Sequence, residues 1–308
     1  VVSITGGSVL DSLIDSKKLA RYAPTFLGLD SSQTDFKTSA AVVLPVPFDG
    51  TSTYAKGADR GPEALLRAST QVELFDIETS SEYYLNGIHT LAPLQSSESV
   101  EELVRDVGQV TEALFEREKL PVLIGGEHSV SIGAFVAAAK RFSDITIVQL
   151  DAHADTRDVY SGSRFNHACV MARAREIAPI VQLGIRSMDS TERGAIDTER
   201  VFFAHEMHRQ HIGDWCERAI ACCTKRVYVT IDLDCFDSGF MPSTGTPEPG
   251  GLSWLQVTSF LRALSAACEV VGFDVVELLP RADFHAPDFS AAKLLYQFLS
   301  FIGISSRG

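Results

Sequence analysis

Long apolar runs are missing from this sequence. No stretch approaches the roughly 20 consecutive apolar residues that a membrane-spanning helix needs. The longest, Leu294–Ile304, is interrupted by Tyr296, Gln297, Ser300 and Gly303 and reads as a packed terminal helix. Cysteine is scarce: the six lie between Cys169 and Cys268, and none is spaced as C-x-x-C. That excludes a disulfide scaffold, a zinc ribbon and a thioredoxin-type site. Basic residues are outnumbered, 27 Lys and Arg against 40 Asp and Glu, for a net charge of −13. A general nucleic-acid or anionic-membrane binder needs the opposite balance to meet phosphates. Low-complexity tracts, linkers and internal repeats are lacking too, so one domain is expected over residues 1–308, with 1–40 packed on it as an extension. Val1–Ser16 shows neither a basic n-region nor an apolar h-region with a cleavage site. The expected location is therefore cytoplasmic, with reduced thiols and neither a membrane nor a nucleic-acid partner.

The chain is 45% hydrophobic and 22% charged, which sets it among ordinary globular proteins and apart from disordered and coiled-coil chains. Short apolar runs alternate with helical patterns. Ala40–Pro45, Val122–Ile124, Ile145–Leu150, Ile180–Ile185, Val201–Phe203, Val227–Ile231 and Val270–Val276 read as strands. Val100, Leu103, Val107, Val110 and Leu114 repeat at 3, 4, 3, 4, one face of a helix opened by a capping box of Ser99 and Glu102. Ser253 and Gln256 form a second such box, Pro62 sits where another helix starts, and Ser129–Arg141 and Asp214–Cys223 are helical. Continuous rather than alternating apolar strands imply a sheet covered on both faces. The fold class is α/β, a three-layer α-β-α arrangement around a mostly parallel sheet.

Polar groups accumulate at the ends of these strands, where open α/β sheets bind ligands. Gly125-Gly126-Glu127-His128 follows one strand, Asp151-Ala152-His153-Ala154-Asp155 a second, and Asp232-Leu233-Asp234 a third. In extended chain, residues i, i+2 and i+4 share a side, so Asp151, His153 and Asp155 are expected to point together, as are Asp232 and Asp234. Four carboxylates and two imidazoles so gathered repel one another unless cations lie between them. Two divalent ions match the four negative charges, and a carboxylate-rich, thiolate-free set favours a harder ion such as Mn²⁺. A water held by such a pair is acidified toward hydroxide near neutral pH.

These segments resemble the successive signatures of the arginase/agmatinase (ureohydrolase) superfamily: GGEHS at 125–129, LDAHADT at 150–156, TIDLD at 230–234 and TGTPEPGG at 244–251. The likeness takes in VPFDGTSTYAKGADRG at 46–61, VQLGIR at 181–186 and DVVELLP at 274–280, and the agmatinase branch is the most similar. The resemblance implies an arginase-like fold and two Mn²⁺ per subunit. It implies that His128, Asp151, Asp155 and Asp232 bind one ion and Asp151, His153, Asp232 and Asp234 the other. A metal-bridging hydroxide would attack the guanidinium carbon of a small guanidino substrate, agmatine first, to give urea and putrescine. Asp155, His167 and Glu277 carry over as catalytic residues: Glu277 would hold the guanidinium, and His167 would move protons near the leaving amine. Relatives are commonly trimers or hexamers, so a homo-oligomer is implied.

Arginase-like members carry Asn where Arg157 stands here. Arg157 and Arg164 are therefore candidate substrate-binding residues that would suit a carboxylate tail, unless acids pair with them and leave the pocket to an ammonium. Guanidinobutyrate and arginine are the alternative substrates. A catalytically silent homologue and a hydrolase of another C–N bond are the alternative classes, and the complete ligand set argues against the silent one. The cluster HEMHRQH at 205–211 has Arg209 where a metalloprotease would need its second histidine, and reads as a solvated loop or interface.

Overall fold

The computed structural model describes residues 6–30, 32–95 and 99–305, with side chains from residue 9 onward. The reading of Val1–Ser16 therefore falls partly outside the described residues. Eight strands form one sheet: β1 (Ala41–Val46), β2 (Ile88–Thr90), β3 (Leu120–Gly125), β4 (Ile145–Leu150), β5 (Ile180–Ile185), β6 (Val201–Phe203), β7 (Arg226–Asp232) and β8 (Glu269–Val276). Their spatial order is β2-β1-β3-β8-β7-β4-β5-β6, and every pairing is parallel. Parallel neighbours need crossovers, and helices supply them on both faces.

The apolar strands split their side chains by the period of two that any strand obeys. Val42 and Leu44 of β1 and Leu123 of β3 pack with Leu103, Val107 and Val110 of helix Val100–Glu116 and with Phe135 of helix Ser131–Arg141. Val43, Val122, Ile124 and Phe273 turn to the other face, against Leu261 of helix Trp254–Ala267 and Leu295 and Phe298 of helix Ala286–Ser305. That last helix runs well N-terminal of the segment expected from Leu294, because Pro287 stands in its first turn, where a missing N–H costs nothing. Ser99 accepts the Glu102 N–H at 3.2 Å, and Ser253 with Gln256 makes the full reciprocal box. Strand β2 was not expected: Ile88-His89-Thr90 contains no apolar run. Among the described residues, no helix is long and apolar enough to cross a membrane.

Candidate metal centre

Four adjacent central strands, β3, β8, β7 and β4 in spatial order, end in the residues singled out above: His128, Glu277, Asp232 with Asp234, and Asp151 through Asp155. Gly126 makes the first of these ends possible. Its amide donates to the Val46 carbonyl at 2.9 Å, and a Cβ there would lie 1.9 Å from the Phe48 carbonyl oxygen, closer than any side chain tolerates. The His128 amide then donates to Glu277 Oε1 at 2.8 Å, tying the β3 end to the β8 end.

The residues come together by a different route from the one expected. Strand β4 stops at Leu150, and Asp155 takes a left-handed φ of 51° rather than an extended one. Asp232 and Asp234 are brought together by a 3₁₀ turn over Leu233–Cys235, in which Asp232 accepts the Asp234 amide at 2.8 Å. Glu277 is also left-handed, with φ 67°. Two non-glycine residues in this sparsely populated region of the backbone map fall in one site, a concentration characteristic of functional positions.

At the centre, His128 Nδ1 is 3.2 Å from Asp151, 3.2 Å from Asp155 and 3.5 Å from Asp232. The atom is buried, yet none of these oxygens is placed for a proper hydrogen bond to it. The ring is aimed from behind by Thr230, whose hydroxyl lies 2.8 Å from Nε2 and donates to Asp274 at 2.6 Å. His153 Nδ1 lies 3.0 Å from Asp234 and 3.6 Å from Asp151. Among the described residues, two groups thus have ligand atoms within 4.8 Å of one another: His128, Asp151 and Asp232, and Asp151, His153 and Asp234. They share Asp151. An unpartnered buried imidazole nitrogen facing several carboxylates is the donor set of a cation site, and oxygen-rich ligation with one imidazole per group fits a hard divalent ion.

The electrostatics agree. Burial, and then the neighbouring Asp151, raises the Asp155 carboxyl to about 7. Burial followed by the charges of Asp234 and Asp151 raises Asp232 well above the usual carboxylate range, and burial with Glu127 does so for Glu277. Desolvation alone would lower His128 and His153, but the surrounding aspartates reverse this and raise both. Without metal, protons stand where cations would neutralise the cluster.

A cavity of about 320 Å³ opens over these groups, lined by His128, His153, Asp155, Asp232, Asp234 and Glu277. His167 and Arg157 also line it, and Ser52–Ala55 and Gly245-Thr246 complete its walls. Burial, and then the charge of His128, lowers the His167 imidazole to about 4, so it is neutral at physiological pH. Arg157 is 3.5 Å from the carboxylate of the buried Glu192, and its guanidinium lies 4.4 Å above the Tyr160 ring. Arg164 corrects its expectation as a substrate-binding residue. It does not line the cavity, and it is exposed and paired with Glu176 at 2.6 Å and Asp158 at 3.3 Å, because two acids compete for it at the surface. The HEMHRQH segment forms a short helix and an N-cap away from the cavity, with His208 Nε2 3.1 Å from the Gly250 carbonyl and His211 accepting the Gly213 amide.

Several supporting residues escaped the sequence reading. Gln149 donates to Asp151 at 2.7 Å and accepts from Gln182 at 2.6 Å, its partner across the β4–β5 ladder. Glu192 accepts from the Thr156 amide, and Arg186 donates to the carbonyls of Asp234, Phe236 and Glu248. Strand register could have suggested Gln182. Gln149 lies only two residues before Asp151, whereas Glu192 and Arg186 act across tens of residues.

An eight-stranded parallel sheet whose central strand ends carry paired His/Asp groups beneath a small cavity defines a metal-dependent hydrolase. The comparisons with known proteins give the family. The family model described as "Arginase family" matches residues 39–300. An N(1)-aminopropylagmatine ureohydrolase from Synechocystis is 41% identical over 286 residues, covering 89% of this chain and 92% of the relative. An agmatinase from Pyrococcus horikoshii is 32% identical, covering 89% and 94%. The crystal structure of the agmatine ureohydrolase of Thermoplasma volcanium superimposes with a TM-score of 0.82 at 31% identity, covering 97% and 99%. The chain belongs to the arginase family, whose members depend on a binuclear metal centre and hydrolyse C–N bonds of guanidino groups.

Proposed function

We propose that this protein is a binuclear manganese amidinohydrolase that cleaves the guanidinium group of an amine-tailed guanidine into urea and an amine. The observation that carries this reading is the pair of His/Asp groups sharing Asp151, with Glu277 and His167 on the walls of the same cavity. His128, Asp151, Asp155 and Asp232 would hold one ion and Asp151, His153, Asp232 and Asp234 the other. When bound, the two ions supply Lewis acidity and a water activated near neutral pH. Glu277 is oriented by the His128 amide on Oε1, which leaves Oε2 toward Gly245 and the cavity to hold the guanidinium. His167, neutral at pH 7, takes up a proton and returns it to the departing amine nitrogen.

The tail is read from Arg157. Its charge is engaged by Glu192 and the Tyr160 ring, so it offers no free cation for a carboxylate, which counts against arginine and 4-guanidinobutyrate. A second cavity of about 540 Å³ shares Arg157, Tyr160, Asp189 and Glu192 with the first. That room favours a longer polyamine tail, as in N1-aminopropylagmatine, with agmatine itself as the shorter substrate. The test is urea release by the Mn²⁺-loaded protein from N1-aminopropylagmatine, agmatine, arginine, 4-guanidinobutyrate and 3-guanidinopropionate in parallel. Turnover led by either amine supports the reading, and turnover led by a carboxylate compound overturns the tail assignment. Two bound ions with no urea from any compound would overturn the reaction.

A further inference from the structure

The segment Asp49–Gly57 lies along the cavity and is tied down at both ends. The Asp49 carboxylate accepts the Gly57 amide at 2.6 Å and the Ala58 amide at 3.2 Å, and the Phe48 carbonyl accepts the Glu127 amide at 2.8 Å. Thr51, within this segment, meets His167 twice. Its Oγ1 accepts the His167 main-chain N–H at 2.9 Å and lies 3.1 Å from the ring nitrogen Nδ1. One hydroxyl oxygen therefore fixes both the backbone and the ring of a residue 116 positions further along the chain. Tyr160 stands edge-on to the ring at 6.0 Å, and Asn166 caps the turn that carries His167 by accepting the Ala168 amide at 3.0 Å.

The direction of the Nδ1 contact follows from counting protons. A threonine hydroxyl has one hydrogen and two acceptor lone pairs. The His167 amide occupies one lone pair. The hydroxyl also meets the Glu127 carboxylate, whose oxygens already accept from the Ser129 amide and hydroxyl at 2.8 and 2.7 Å, so the hydrogen has an acceptor there. The second lone pair is left for a hydrogen on Nδ1. The Thr51 oxygen therefore calls for hydrogen on Nδ1, and the lone pair of the ring falls on Nε2.

We propose that Thr51 is the positioning residue that holds His167 as its Nδ1–H tautomer, so that proton transfer to the leaving amine runs through Nε2 facing the cavity. The inference rests on the amidinohydrolase reading for the proton's destination, but the clamp itself does not. Thr51→Val removes the hydroxyl at nearly constant volume, and Thr51→Ser keeps it. In the Mn²⁺-loaded protein, turning over whichever guanidine the wild type prefers, Thr51→Val is expected to lower kcat about tenfold to a hundredfold. KM should stay within about twofold, metal content and Tm should not change, and Thr51→Ser should recover most of kcat. Nitrogen-15 histidine NMR of the diamagnetic Zn²⁺-loaded protein should show the Nδ1–H tautomer at His167 in the wild type and a mixture in Thr51→Val. A wild-type spectrum with hydrogen on Nε2, or a Thr51→Val protein with unaltered kcat, would overturn the proposal. If Thr51→Val does not fold, the wild-type spectrum still decides the tautomer. If the wild type releases no urea from any guanidine, the amidinohydrolase reading fails while the spectrum still tests the clamp.

Discussion

The His128 and His153 ends of the carboxylate cluster share Asp151 and differ in almost everything else. His128 is 1% exposed, its Nε2 is backed by Thr230 and Asp274, and three carboxylates face its Nδ1. The His153 side chain is 26% exposed, lies against Asp234 and Asp151 only, and looks into the cavity. Both rings line the cavity, but His128 is deeply buried and held from behind, whereas His153 is partly open to the solvent side. A sealed position retains its ion and shapes the cluster, while an open one exchanges and meets water. The two ends thus differ in burial and support although they share Asp151.

The largest effect expected is at the sealed end. Replacing His128 with Ala leaves Asp151, Asp155 and Asp232 without the imidazole they face, and urea release should fall at least about a thousandfold, with metal content dropping at both positions. His153→Ala should lose activity too, yet keep close to one ion per chain and regain part of its rate in excess Mn²⁺. Equal metal loss in the two variants would erase the distinction. Graded chelation provides a second check: the first ion should leave before the second, and His153→Ala should abolish only the first step. Next comes the support behind the sealed end. Thr230→Val removes the group aiming His128 and should weaken that ion's binding about 10- to 100-fold, with little change in the chelation step belonging to the open end.

A smaller effect has the opposite sign. Asp155 has its folded carboxyl raised to about 7 by burial and Asp151, well above the unfolded value. A raised carboxyl destabilises the folded state once ionised, so this contribution is absent at pH values below the unfolded pKa of about 3.9 and grows until pH passes about 7. Metal-free protein should therefore melt at a lower temperature as pH rises through that window, and Asp155→Asn should flatten the dependence and raise Tm at pH 8 by roughly a few degrees. With Mn²⁺ bound the same substitution should lower Tm, and melts in chelator and in Mn²⁺ give both signs. At the bottom of the scale, Arg164→Ala, outside the cavity, should change kcat/KM by less than about twofold.

Much of the sheet was legible because its strands are short apolar runs followed directly by polar residues: Ile145–Leu150, Ile180–Ile185 and Val201–Phe203 have the expected limits. The chemistry-bearing groups stood out for the same reason, as carboxylates and imidazoles that an apolar strand cannot carry into its own core. How they converge was not legible. An alternating pattern suggests an extended chain, whereas Asp155 takes a positive φ and Leu233–Cys235 form a 3₁₀ turn that Asp232 caps. Arg164 was misplaced because a sequence does not show that Glu176 lies beside it. Thr51 was invisible as a partner of His167 for a related reason, since no local periodicity links positions so far apart.

The spatial order of the strands also sets a timetable for the newborn chain. Strand β8 comes after every other described strand in the sequence, yet it lies between β3 and β7 in the middle of the sheet and, among the described residues, joins its two halves. Before residues 269–276 are in place, β3 and β7 each lack the neighbour that the finished sheet gives them, and unpaired strand edges are open to pairing with other chains. Glu277 and the ties it makes come with that same strand. A chain that stops before residue 269 therefore lacks both the strand that joins the half-sheets and the Glu277 wall of the cavity.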